Sequence, residues 1–224
     1  MTKRKTDETL RPFVLSLLGW TLKIMLFISV IQMLGVATTS FIAVLGAAGL
    51  AIGLAFQGTL ANFAGGALLL VFKPYKVGDL IEAQGQLGVV KEIQIFTTIL
   101  LNPQNKTIIL PNGAVSNGDI TNYTCEGKLR VDLTIGVAYE SDIKKAKDVL
   151  IATMEKDEKI LKDPAPFVGV SELADSSISL AVRPWATLEH YWDVYLGTLE
   201  ACKNALDKAE VTIQFPQVDV HLDK

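Results

Sequence analysis

The stretch Gly46–Gly58, GAAGLAIGLAFQG, carries no charge, one polar side chain and a crowd of Gly and Ala. Glycine is a poor helix former and alanine buries little area, so a long apolar run has been filled with residues that pack weakly against large neighbours. On a helical wheel at ~100° per residue, Ala43, Ala47, Ala51 and Ala55 form one ridge, and Gly46, Gly49 and Gly53 fall on the other flank. Leu50 and Leu54 make a narrow seam between the two flanks. Gly49 and Gly53 have the GxxxG spacing that lets membrane helices approach closely. With knobs and grooves on different flanks, each helix can offer its alanines to a neighbour's glycines, a heterologous contact that closes into a ring. The leucines would then face the ring axis as an apolar constriction, which can block ions by dewetting. The residues leave two other readings open, a GxxxG dimer and a helix packed inside a multispan transporter. A nucleotide site does not fit, because the glycines miss the G-x-G-x-x-G pattern and no strand precedes them.

Outward from this stretch the chain is sharply divided. It has 224 residues, half of them apolar, and between Lys23 and Lys73 there is no Asp, Glu, Lys or Arg. That predicts a membrane-embedded first third and a water-soluble remainder. The first span is expected at Phe13–Val36, long enough for a hydrocarbon core that needs ~20 residues, with Lys23 near its middle snorkelling or facing a wetter interior. It is too long for the apolar core of a signal peptide, and no small-residue cleavage site follows it. The second block, Thr38–Phe72, would be roughly 50 Å long as one straight helix, so it should break, and Gln57-Gly58 with the pair Gly65-Gly66 offers places. Lys3, Arg4, Lys5 and Arg11 precede the first span and Lys73 and Lys76 follow the second. The positive-inside rule therefore puts both termini in the cytoplasm.

The net charge of −3 and the pI near 5.5 argue against a nucleic-acid surface. Cys125 and Cys202 lie far apart without a CxxC or His partner, which fits inert thiols in a reducing compartment.

At the small-residue block the chain resembles the family of mechanosensitive channels of small conductance. The resemblance rests on VLGAAGLAIGLAFQGTLANFAGGALLLVFKPYKVGD, then GVVKEIQIFTTIL, IILPNG, IGVAYESDI and FPQVDVHL, and it covers roughly residues 33 to 222. It implies a homoheptameric channel of the bacterial inner membrane that opens under tension and releases ions and small solutes on hypo-osmotic shock. Membrane lipids would be its surroundings and no cofactor would be involved. Carried over residue by residue, Leu50 and Leu54 match the constriction. Ala43, Ala47 and Ala51 match the packing ridge, and Gly46, Gly49 and Gly53 its grooves. Gln57 and Gly58, with Gly66, match the bend between pore helix and interfacial helix. Members of that family commonly carry at least three spans, whereas two are legible here, so the chain reads as a short two-span member.

Beyond Lys73 the expected organisation is a small β domain over residues 73–127, Sm-like by the resemblance, and a ferredoxin-like α/β domain over 128–224. In the first, short alternating runs are punctuated by Gly85, Gly88, Asn102-Pro103 and Pro111-Asn112-Gly113, read as turns. In the second the order is strand, helix, strand, strand, helix, strand, and the tail VDVHL is a further short strand that by resemblance joins a small barrel. The expected fold is thus two membrane helices, the second kinked, followed by these two domains, with residues 1–72 forming the membrane part.

Chemistry is sparse. His190 and His221 have no second ligand at helical spacing, and no Ser or Cys has a partner pattern of a nucleophile. Trp185 and Trp192 fit core or interface positions. An enzyme and a metal site are therefore not expected. A membrane-anchored oligomeric scaffold or sensor without conductance is the alternative to the channel.

Overall fold

The computed structural model describes residues 10–34 and 37–216. Lys3, Arg4 and Lys5, the expected end of the first span at Val36, and the tail strand with His221 lie outside the described residues. The chain divides into two compact units, one ending at Ala61 and the other beginning at Asn62.

In the first unit, α1 (Leu10–Met33) is the uninterrupted apolar helix, and its stretch Leu15–Met33 is by itself long and apolar enough to cross a membrane. Two of its hydroxyls bond back to the helix: Thr21 Oγ1 donates to Leu17 O at 2.9 Å and Ser29 Oγ to Met25 O at 3.0 Å. Next comes α2 (Thr39–Ala55), and α3 (Gln57–Phe72) begins after a single residue. The pair is bent by 59° and counts as a second candidate span if taken together. The break is at Phe56, the one residue between the two helices, with φ −93° and ψ 0° at the edge of the helical region, and its N–H still donates to Ile52 O. Gln57 and Gly58 form the first turn of α3.

The second unit opens with most of α3. Five strands follow: β1 (Leu80–Ala83), β2 (Gln86–Ile93), β3 (Thr97–Leu101), β4 (Thr107–Pro111) and β5 (Ile120–Asn122), all antiparallel, in the order β4-β3-β2-β1-β5. Between β4 and β5 lies α4 (Asn112–Asn117). Here the structure differs from the expected turn: Pro111 is extended and stands at the N-cap, and Asn112-Gly113 starts a short helix instead. Period-two alternation puts Ile81, Ala83, Val90, Leu100 and Leu110 on one face, where they pack with Leu69, Tyr75 and Val115. Burying an aliphatic side chain of this kind contributes ~1.5–3 kcal/mol.

The α/β part contains β6 (Leu129–Arg130), β7 (Leu133–Val137), α5 (Ile143–Met154), β8 (Phe167–Leu173), β9 (Ile178–Arg183), β10 (Trp185–Ala186) and α6 (Tyr191–Lys208). Strand β9 lies antiparallel between β7 and β8, so the β7–α5–β8 crossover straddles it as a split βαβ unit. The expected last strand is reduced to one bridge, Ile213 to Val137. Asp142 caps α5 by accepting from Lys144 and Lys145 N–H groups. Helix α5 buries Ala146, Leu150 and Met154, and α6 buries Val194, Thr198, Cys202 and Leu206, each an i, i+4 stripe on the sheet.

Candidate functional site

The ridge and groove residues Ala43, Gly46, Ala47, Gly49, Ala51 and Gly53 lie on α2, and none of them is buried by its own chain. Leu50 is 66% exposed and Leu54 62%. A Cβ built on Gly46, Gly49, Gly53 or Gly58 would meet nothing within 4 Å. A helix this apolar and this uncovered is finished by something outside the chain, because neither face is polar enough to suit water. The ridge Ala43, Ala47 and Ala51 is equally open. In α1, the Lys23 ammonium sits 5.2 Å from the Trp20 ring centroid, so a cation–π contact accompanies the charge within the span.

Gly66 is not at a break. Helix α3 runs unbroken through it, and with Gly65 it is buried. A Cβ on Gly65 would come within 2.6 Å of Asn112 O and 2.7 Å of Ser116 Oγ, and one on Gly66 would fall on Ile95 O. Both glycines are therefore required for close approach of helix and loop. With Asn62 and Leu69 they form an i, i+3, i+4, i+7 stripe, the face that α3 turns to the sheet. Asn62 Oδ1 accepts from Gly113 N at 2.9 Å, and the Phe63 and Phe96 rings lie 6.3 Å apart. The glycine pair reads equally as a flexible point, but the stripe formed with Asn62 and Leu69 carried the signal for a docked face.

Beneath this seat Asn112 is fully buried. Its backbone N–H donates to Phe96 O at 2.9 Å, and its Nδ2 donates to Gln94 O at 2.8 Å and Ile95 O at 3.2 Å. One residue thus holds three consecutive carbonyls of the β2–β3 loop. Thr98 Oγ1 donates to Asn112 Oδ1 at 2.8 Å and lies 2.9 Å from the Tyr75 hydroxyl. Burial raises the Tyr75 pKa above the usual phenol value.

Among the described residues no group of three or more His, Cys, Asp or Glu could hold a metal ion. Cys125 is exposed and Cys202 buried, and burial pushes the Cys202 thiol up to about 11. His190 Nδ1 lies 4.0 Å from Asp193, which is paired with Lys159 at 2.7 Å. That pair holds the Asp193 carboxyl below its usual range and the Lys159 ammonium above its own.

Three family descriptions match in tandem along the chain. Residues 22–57 match transmembrane helices 2/3 of the mechanosensitive ion channel, residues 58–125 its β-domain, and residues 131–213 the C-terminal part of the mechanosensitive ion channel MscS. A small-conductance mechanosensitive channel of Edwardsiella ictaluri is 44% identical over 176 residues, covering 79% of this chain and 62% of that protein. The chain thus spans less than two thirds of that relative. An MscS family protein of Synechocystis is 38% identical over 99% of this chain and 75% of its own length. The crystal structure of Helicobacter pylori MscS in its closed state superposes with a TM-score of 0.90 at 34% identity, over 98% of this chain and 87% of that one. With helices, sheet and α/β part all matched in order, the chain belongs to the MscS family of mechanosensitive ion channels.

Proposed function

We propose that this chain assembles with copies of itself into a ring in a bacterial inner membrane, a heptamer by likeness to the family, and that membrane tension opens the ring to ions and small solutes, as in hypo-osmotic shock. The observation that carries the reading is α2: uncharged, crowded with Gly and Ala, and without one buried residue in its own chain. Seven such helices side by side bury the ridge Ala43, Ala47 and Ala51 in the grooves at Gly46, Gly49 and Gly53. Leu50 and Leu54 then line the axis and close it by dewetting. Under tension the ring widens, α2 slides along its small-residue seams, and the bend at Phe56, beside Gln57 and Gly58, takes up the change in direction. Gly66 serves the docking of α3 rather than the bend.

The surrounding lipid is the partner that transmits the stimulus. The basic residues on either side of the helical block place both termini in the cytoplasm, with the β domain (residues 73–127) and the α/β domain (128–224) forming a cytoplasmic scaffold. No catalytic step, cofactor or nucleic acid enters this reading.

The test is patch recording of the purified chain in vesicles of pure lipid under graded suction. Opening with suction and no other protein establishes a tension-gated channel. Silence from a folded, ring-shaped oligomer overturns the reading in favour of a scaffold, or assigns the stimulus to a further component.

A further inference from the structure

The hydrogen bonds beneath α3 have only one possible direction. Gln94 O and Ile95 O can only accept, so the Asn112 carboxamide must turn its Nδ2 to them. That leaves Oδ1, an acceptor, for Thr98, whose single hydroxyl proton is spent there. The remaining contact of Thr98 Oγ1, at 2.9 Å from the Tyr75 oxygen, must then be donated by Tyr75. The relay runs from Tyr75 through Thr98 to Asn112, and from there to the carbonyls of the loop. Tyr75 is 1% exposed, and Thr98 and Asn112 are fully buried, so no water can substitute for a missing member. The carbonyl at the end of the relay, Ile95 O, is the atom on which Gly66 rests, and Asn112 O is the one beneath Gly65.

We propose that the Tyr75 hydroxyl is a positioning group for gating: through Thr98 it fixes the orientation of Asn112, which sets the loop that seats α3 in the closed conformation. The gating half of this inference rests on the channel reading above, while the structural half stands apart from it. The chain superposes on a closed-state structure, and the seated arrangement is taken as that of the closed channel. Tyr75→Phe keeps the ring and its packing and removes only the donor. Thr98 Oγ1 is then left with an acceptor lone pair that receives no proton, and the neutral bond lost is of the ordinary strength.

The experiment uses the full chain in lipid vesicles and compares wild type, Tyr75→Phe, Thr98→Val and the double variant. Suction is read by patch recording, and amide exchange over α3 and the Gln94–Phe96 loop by mass spectrometry. Tyr75→Phe is expected to open at lower suction than wild type and to exchange roughly three- to tenfold faster over these segments, with α5 and α6 unchanged. In the Thr98→Val background Tyr75→Phe should give no further lowering, because the route is already cut and the substitution only removes a stranded hydroxyl. Unchanged or higher opening suction in Tyr75→Phe, or an undiminished shift in the Thr98→Val background, overturns the proposal. If Thr98→Val fails to assemble, exchange in Tyr75→Phe decides alone: protection equal to wild type over α3 overturns it. A wild-type chain that never opens sinks the channel reading instead, and the exchange comparison still tests the relay.

Discussion

The side-chain oxygen of Asn62 accepts the Gly113 amide proton at 2.9 Å, across 51 positions of sequence. This bond joins the stripe of α3 that carries Gly65 and Gly66 to the start of α4, beside the residue that organises the β2–β3 loop. Asn62→Ala leaves the partly buried Gly113 amide without its acceptor, which costs ~1–3 kcal/mol where water does not replace it. Amide exchange at Gly113 should accelerate accordingly. Protection equal to wild type would show that the bond contributes nothing to holding the helix.

Two glycines of the same helix should respond in opposite ways to alanine. At Gly66 the added Cβ lands on Ile95 O, so Gly66→Ala is expected to destabilise by ~1–3 kcal/mol through overpacking. At Gly58 the space is open, and Gly58→Ala should raise helix stability by up to ~1 kcal/mol. Thermal unfolding of the two variants beside wild type reads the difference. Equal effects would mean that α3 is not seated on the loop.

Leu50→Ser places a hydroxyl where the dewetted constriction is proposed. The side chain is exposed in its own chain, so folding should be unaffected. The ring should wet and leak at rest, seen as resting conductance and slowed growth of cells that express it. Normal growth and a silent patch at zero suction would remove Leu50 from the gate.

Gly49→Leu and Gly53→Leu test the grooves. Neither leucine would touch the chain's own atoms at its Cβ, so secondary structure and unfolding of the soluble part should match wild type. Assembly size or opening suction should change, because the neighbour's alanine ridge no longer fits. If both variants assemble and gate as wild type does, the knob-and-groove account fails.

The two cysteines should separate cleanly in labelling at pH 8. Cys125 is exposed and should react with a maleimide, whereas Cys202 is buried with its thiol pushed up to about 11 and should stay unmodified in the folded chain. The raised value means that the folded state holds this proton more tightly than the unfolded one. Its contribution to stability is complete below about 9 and is lost as pH rises toward about 11. Rapid labelling of Cys202 at pH 8 would show that the α6 face opens.

Much of this was legible in the chain because charge and period mark it strongly. The uncharged block between Lys23 and Lys73 announces the apolar helices, and the change from period two to 3.6 marks α5 and α6 among their strands. The break falls at Phe56, just ahead of the predicted Gln57-Gly58, since a modest change of ψ at one residue suffices and no side chain announces which. Gly65-Gly66 was harder. A glycine pair is flexible alone and a contact surface when a backbone approaches it, and the approaching carbonyls of Ile95 and Asn112 come from 29 to 47 positions further along the sequence. Pro111-Asn112-Gly113 has turn composition, yet the side chain of Asn112 is drawn inward by two carbonyls and its backbone N–H by a third, and the chain continues as helix. Such effects are tertiary and leave no local pattern.

Because α2 contributes nothing to the interior of its own chain, a lesion there has unusual genetics. In the proposed ring, a copy altered at Leu50 would still fold, take its place beside unaltered copies and impose its defect on all of them. A copy altered at Leu180, fully buried in the α/β core, misfolds and is lost before it can join. Co-expressed with wild type, substitutions in α2 should therefore be dominant and substitutions in the soluble core recessive.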